Sequence, residues 1–278
     1  MDVLWSIATG KKVLDFVHSA FRVAKAVQGL LPSQEKNGAV GTSLEPPQDG
    51  IEAPPATRNR EVVANRLNRL LVLLNERRSY NLVTIPQIAR ILGLSSVSDL
   101  ESYFFAEKDA PFALLDQIAN TFGLKPDWLQ GGHEGQPFAY HQHGMNYHDG
   151  GLLGLIEELK PRKIFFVRCL NDLGHAHVAF KFTDWKYEGT SDGWDISDHI
   201  GATGQRQLYE LWQFLNKICE RREPSVGRDL PEGPYYSLRR GEIYPGMLLE
   251  DDKYRSFWFN DFTDIDYKYP IAADKYSK

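Results

Sequence analysis

The sequence predicts a multidomain protein. An all-α helix-turn-helix bundle is followed by an α+β domain, an antiparallel sheet with a covering helix, and a separate amphipathic helix precedes both. Three observations lead there. Apolar residues recur at three- and four-residue spacing from Ile85 to Leu129, as on short helices with one buried face. Apolar and polar residues alternate from His175 to Thr183, as on a strand with one covered side. Residues 32–57 are rich in proline and glycine and almost lack large apolar side chains, too little burial to offset the cost of ordering a backbone.

Length and composition agree. A chain of 278 residues exceeds what one core usually organises. Apolar and charged fractions of 42% and 25% are those of an ordinary soluble protein. Cys169 and Cys219 stand far apart and form neither a metal-ligand pair nor a disulfide framework, so a reducing cytoplasm is the expected setting. No apolar run reaches the length of a membrane span, and integral membrane insertion is not expected.

Residues 1–31 form the first expected element. Val13, Phe16, Val17, Ala20, Phe21, Val23, Ala24, Val27, Leu30 and Leu31 fall at helical spacing, with Lys12, Asp15, Arg22 and Lys25 on the other side. Charges interrupt the run, which does not read as a secretion signal. Such a helix could self-associate or dock on a protein partner through residues 13–31, pack on its own body, or lie in a membrane interface. Its flexible tether, residues 32–57, favours the first. Self-association would let tethered domains reach separate sites together.

Residues 58–132 form the second element. Ile85, Ile88, Ile91 and Leu92 give one buried face, and Ala89 stands four residues before Gly93. Two short helices crossing at a sharp turn need a small side chain and a residue that tolerates a left-handed backbone, and Ala and Gly meet those demands. Leu100, Tyr103 and Phe104 give another short face; Phe112 to Phe122 gives a further helix, closed by Gly123.

This segment, from about Asn65 to Gly132, resembles the DNA-binding domain of the Cro/phage-repressor (Xre-like) family of bacterial and phage regulators. The resemblance rests on RLNRLLVLLNERR (66–78), IARILGLS (88–95), FALLDQIANTFGL (112–124) and DWLQGG (127–132). It implies duplex DNA as partner, with Arg66 and Arg69 on the first helix, Gln87 and Arg90 on the second, and Ser95, Ser96 and Ser98 at the recognition helix as DNA-binding residues. Trp128 is expected to anchor the core.

Two features depart from the family pattern. The recognition helix carries serines with Asp99 and Glu101, and neither Arg nor Lys occurs between Arg90 and Lys108. From Gly93 to Leu100 there is one residue more than the compact spacing, which lengthens the turn or rotates the helix by about 100°. Charge is also balanced: residues 58–132 hold 9 Lys/Arg against 8 Asp/Glu. Phosphate neutralisation dominates nonspecific DNA affinity, so this weakens tight monomeric binding. A cluster of Arg58, Arg60, Arg66, Arg69, Arg77 and Arg78 offers a basic first helix in partial compensation.

Residues 133–150 read as a polar connector. His133, His141, His143 and His148 invite a metal reading, but the stretch is Gly-rich and lacks cysteine and the H-E-x-x-H arrangement. A polar linker or surface strand is expected, with no metal. In residues 151–278, KIFFVRCL, HAHVAFKFTDWKYEG and GWDIS read as consecutive strands, and residues 204–222 as the covering helix. Ser197, Asp198 and His199 adjoin, but adjacent side chains usually point apart, so no catalytic triad is expected. Residues 201–207 lack the phosphate-loop lysine, and Asp261, Asp264 and Asp266 read as solvated acids.

The expected function is a DNA-binding transcriptional regulator acting as an oligomer, with a carboxy-terminal sensing or assembly domain. The alternative is a protein-interaction or sensor component that keeps the bundle as a scaffold. No catalytic residue, cofactor or metal site is expected.

Overall fold

The computed structural model describes residues 55–132, 135–144, 151–171, 174–195 and 202–256. The expected amphipathic helix, nearly all of the linker, His133, His148, Ser197 to His199 and the three terminal aspartates lie outside them.

Helix α1, Pro55–Asn75, begins inside the expected linker. Proline suits a first helical position, where its missing N–H would have no partner anyway. Ala64, Leu67, Leu70 and Leu74 form its buried stripe. The Asn75 side chain then accepts from the Val83 N–H (2.7 Å) and donates to the Val83 carbonyl (2.8 Å), turning the chain into the next helix.

Helices α2 (Ile85–Ile91) and α3 (Val97–Phe104) meet at Gly93, as their spacing predicts. Gly93 has φ +70°, the Leu94 N–H reaches back to the Ala89 carbonyl at 2.9 Å, and the Gly93 N–H reaches Arg90 at 3.0 Å. This closes the helix end with a left-handed residue. Nothing lies within 4 Å of a Cβ built at Gly93, so the backbone angle alone requires glycine. Helix α4, Phe112–Phe122, ends at Gly123 (φ +67°), and the short α5, Pro126–Leu129, buries Trp128 and Leu129.

Six strands follow among the described residues: β1 (His141–His143), β2 (Lys163–Cys169), β3 (His175–Lys181), β4 (Tyr187–Thr190), β5 (Trp194–Asp195) and β6 (Ser225–Leu230). Between them come α6 (Gly151–Leu159) and α7 (Ala202–Glu220); α8 (Glu232–Arg240), α9 (Gly246–Leu249) and a 3₁₀ turn (Asp252–Tyr254) follow β6. Strand order is β1-β4-β3-β2-β6, with β5 also on β3. The architecture is α+β overall.

The sheet is mixed, which corrects the expected antiparallel one. β2 pairs antiparallel with β3 (Val167 opposite His177) and parallel with β6 (Val167 opposite Arg228), and β1 runs parallel to β4. Helix α7 is the reason: it lies between β5 and β6 and returns the chain to run alongside β2, which a tight turn cannot do. The long expected strand 175–189 also breaks. The Thr183 hydroxyl accepts from the Trp185 and Lys186 N–H groups and reverses the chain before β4.

Both faces of the sheet are covered, where the alternation predicted one open side. Ile164, Phe166, Val178 and Phe180 pack under α6 and α7, with Leu211, Phe214, Leu215 and Ile218 from the latter. Phe165, Val167, Cys169 and Ala179, on the other face, join a core that also holds Leu67, Leu70, Ile88, Leu115, Phe122, Tyr235 and Leu238. The residues expected as a polar connector contribute to that face. Phe138 and Tyr140 are each 1% exposed, the Phe138 N–H donates to the Gly241 carbonyl at 3.1 Å, and the Ala139 N–H to the Gly123 carbonyl at 2.9 Å. Its histidines made the segment look polar, while its two aromatic rings are what fix it.

Candidate functional site

The predicted DNA-contact residues fall into two groups. Arg66 does not point a free charge outward. Its guanidinium donates to the carbonyls of Trp128 and Gly132 (3.1 Å to the latter) and lies 5.8 Å over the Trp128 ring. It thus ties α1 to the last turn of α5, whose carbonyls have no helical partner. Gln87 is similarly engaged. As the third residue of α2, its Oε1 accepts from the Thr84 N–H at 2.9 Å and satisfies a helix-start donor. Ser96 and Ser98 share a hydroxyl–hydroxyl hydrogen bond of 2.9 Å.

Arg69, Arg90, Ser95 and Ser98 are exposed. Beside them the acidic start of α3 is partly neutralised, because Lys108 reaches Asp99 at 3.2 Å. Of the other arginines of the expected basic first helix, Arg60, Arg77 and Arg78 are spent internally. Arg60 makes a two-pronged pair with Asp109 (3.1 Å each), Arg77 donates to the Tyr254 hydroxyl at 2.8 Å, and Arg78 donates to the Leu74 carbonyl and lies over Trp185. The Arg60 pair holds the Asp109 carboxyl below its ordinary range, chiefly through the hydrogen bond.

The second concentration of polar side chains was missed by sequence reasoning, which put His177 on an open face. His177 is 0% exposed, with Nε2 at 2.9 Å from the Tyr140 hydroxyl and Nδ1 at 3.2 Å from the Tyr235 hydroxyl. A neutral imidazole has one donor and one acceptor nitrogen, so one hydroxyl donates to the ring and the other accepts from it. Burial, then Arg239 and His141, holds His177 well below the ordinary histidine range. Burial likewise raises the Tyr140 and Tyr235 hydroxyls. Gly189 leaves room for this arrangement: a Cβ there would stand 2.7 Å from the Tyr140 ring.

Of the histidines considered for metal, the two among the described residues, His141 and His143, are engaged by protein groups. His141 Nδ1 lies 2.7 Å from the Thr190 carbonyl, and Arg239 Nε donates to His141 Nε2 at 3.2 Å. His143 Nε2 meets Glu188 at 2.7 Å, and His175 pairs with Asp195 across β3 and β5. Among the described residues no three potential ligands converge. Cys169 is buried at the end of β2, its thiol pushed up to about 11 by burial and Glu232, so it stays a protonated core side chain rather than a nucleophile. No described helix is long and apolar enough to cross a membrane.

Comparison with known proteins finds no matching family, no matching curated protein and no matching solved structure.

Proposed function

We propose that the chain is a DNA-binding transcriptional regulator that grips duplex DNA through the α2–α3 surface. The supporting observation is the α2–α3 pair. Ala89 is 1% exposed at the crossing, Gly93 supplies the left-handed turn, and exposed polar residues flank it at Arg90, Ser95 and Ser98. In this reading the contact set is narrower than the seven residues the resemblance implies. Arg69 and Arg90 hold phosphates, Ser95 and Ser98 approach bases or backbone, and Arg66 and Gln87 keep the scaffold in shape. With so few free cations one domain binds weakly, and useful affinity requires two or more copies on one duplex.

A second reading is favoured by the apolar surface. Val72, Tyr80, Leu82, Phe105 and Phe112 are exposed, Phe112 by 70% and Tyr80 by 77%, and all belong to the helical part. Such residues suit a protein partner better than a phosphate backbone.

Binding of the full-length protein to random and genomic duplex fragments across salt concentration separates the two. The regulator shows affinity falling steeply with salt and enrichment of particular sites. Arg90→Ala reduces the slope of log affinity against log salt by about one per bound copy, the loss of one phosphate contact. Negligible binding of wild type even at low salt would sink the DNA reading and leave the protein-partner one.

A further inference from the structure

We infer that the contact between Arg239 and His141 is an acid-sensitive latch, which holds the β1 edge strand to α8 and the end of β4 and releases it when His141 takes up a second proton. The proton count at the ring carries this. Nδ1 stands 2.7 Å from the Thr190 carbonyl, which can only accept, so Nδ1 bears the hydrogen. Nε2 is then the lone-pair nitrogen and accepts from the Arg239 Nε–H at 3.2 Å. Arginine has no acceptor and keeps its charge, so an imidazolium would aim an N–H at an N–H and a cation at a cation. The Arg239–His141 contact exists only with neutral His141.

The other groups around the ring do not replace it. From β3, the His177 ring faces His141 at 6.0 Å between centroids; from the chain before β1, the Tyr140 ring stands at 5.2 Å. Asp192, just past β4, is the acidic group that favours protonation, and it also accepts from the Ser191 hydroxyl at 3.2 Å. Glu188 is engaged by His143 and by Lys186 (3.1 Å). Burial and Arg239 together outweigh Thr190 and Asp192, and His141 is held below the ordinary histidine value of 6.5. The latch is therefore closed above that value and opens as pH falls below it.

Release at this point has a defined consequence. β1 has three residues and, among the described residues, pairs only with β4, where the Gly189 N–H donates to the Tyr140 carbonyl (2.6 Å) and the Ser191 N–H to the His143 carbonyl (2.8 Å). Arg239 also donates to the Ser191 carbonyl, so one guanidinium bridges both strands. With it displaced, β1 loses its tie to α8 and is held, among the described residues, from the β4 side: by this short ladder, the His141 Nδ1–Thr190 hydrogen bond, the Ser191 hydroxyl on the His143 carbonyl and the His143–Glu188 pair. The segment that bears Phe138 and Tyr140, between α5 and the sheet, then loosens.

Amide hydrogen exchange on the full-length protein, corrected for the intrinsic effect of pH, tests this at about pH 7.5 and about pH 5.5. The reporters are Gly189 and Ser191; the references are Ile164, bonded to Pro224, and Leu170, bonded to Leu230, both at 2.8 Å. The open population at the reporters should rise by about tenfold more than at the references on acidification. In His141→Gln this excess should vanish. Arg239→Gln serves as a second variant, because its amide can turn to accept from an imidazolium, and it too should flatten the response. Equal protection at both pH values, a rise no larger than that of the references, or an excess that persists in both variants would each overturn the latch.

Discussion

On one face of the sheet Phe166, Val178 and Phe180 meet Leu211, Leu215 and Ile218, all apolar, whereas on the other Val167 and Ala179 flank His177, which is wedged between two tyrosine hydroxyls. Both faces are dry. They differ in what fills them: the core of the α7 face is apolar, with polar contacts such as Arg221–Glu157 at its margin, while the α8 face holds in its interior a chain of hydrogen bonds that has one correct protonation state. Apolar packing is indifferent to pH, while a buried neutral histidine is not. Sensitivity to conditions therefore belongs to the face shared with the helical part.

The largest expected effect is on the α7 face. Leu215 is fully buried, and Leu215→Ala should cost about 3 kcal/mol, the cost of lost burial plus the cavity left behind. Urea unfolding should give the same loss at neutral and mildly acidic pH. A loss that grows or shrinks strongly across that range would break the contrast between the faces.

The next effect belongs to His177. His177→Leu leaves the Tyr140 and Tyr235 hydroxyls without their ring partner at a net cost of about 2 kcal/mol near pH 7.5, since each unpaired buried group costs about 1–3 and the added apolar burial offsets part. The folded protein holds His177 below its ordinary value of 6.5, so its unfolded state binds the extra proton first. Wild-type stability is thus full above that value and declines as pH falls beneath it. The variant should lose much of this decline, and the gap between the two should narrow in acid. A gap of constant size would show that His177 acts by shape alone.

How much of this the sequence reveals follows from where each partner sits. The α7 face is legible because its residues keep strict period on β2, β3 and α7. The α8 face is not, because His177 finds its partners 37 and 58 residues away, and no local pattern marks Tyr140 and Tyr235 as hydroxyls aimed at one ring. In the helical part the turn at Gly93 and the end at Gly123 were readable, since their left-handed backbone favours glycine. The DNA contacts proposed above rest on analogy alone. A sequence counts arginines but does not show that Arg60 and Arg66 are spent on Asp109 and on helix-end carbonyls. Gln87 did carry a local signal: it follows Thr84 by three residues, the spacing of a reciprocal helix cap.

The smallest effect lies at the rim of the α8 face, where Lys163 and Lys181 stand opposite each other on β2 and β3. Glu250 bridges them, at 3.1 and 2.8 Å, and also accepts from the Tyr187 hydroxyl at 3.3 Å, while Asp184 pairs with Lys181 at 3.4 Å. Burial would raise its carboxyl; the Lys181 and Lys163 contacts outweigh that and hold it below 4.5. Glu250→Gln keeps the shape and removes the charge between two ammonium groups. Partial exposure screens the three charges, so the cost should be about 1 kcal/mol, smaller at high salt. Because the folded value is the lower one, the Glu250 contribution is present above pH 4.5 and is lost as pH falls through the folded value. Thermal unfolding of wild type and variant should therefore differ near neutrality and converge in strong acid. Convergence setting in instead near pH 6.5 would assign the difference to His177 and His141, and the rim would then share the histidine-linked sensitivity of the face it borders.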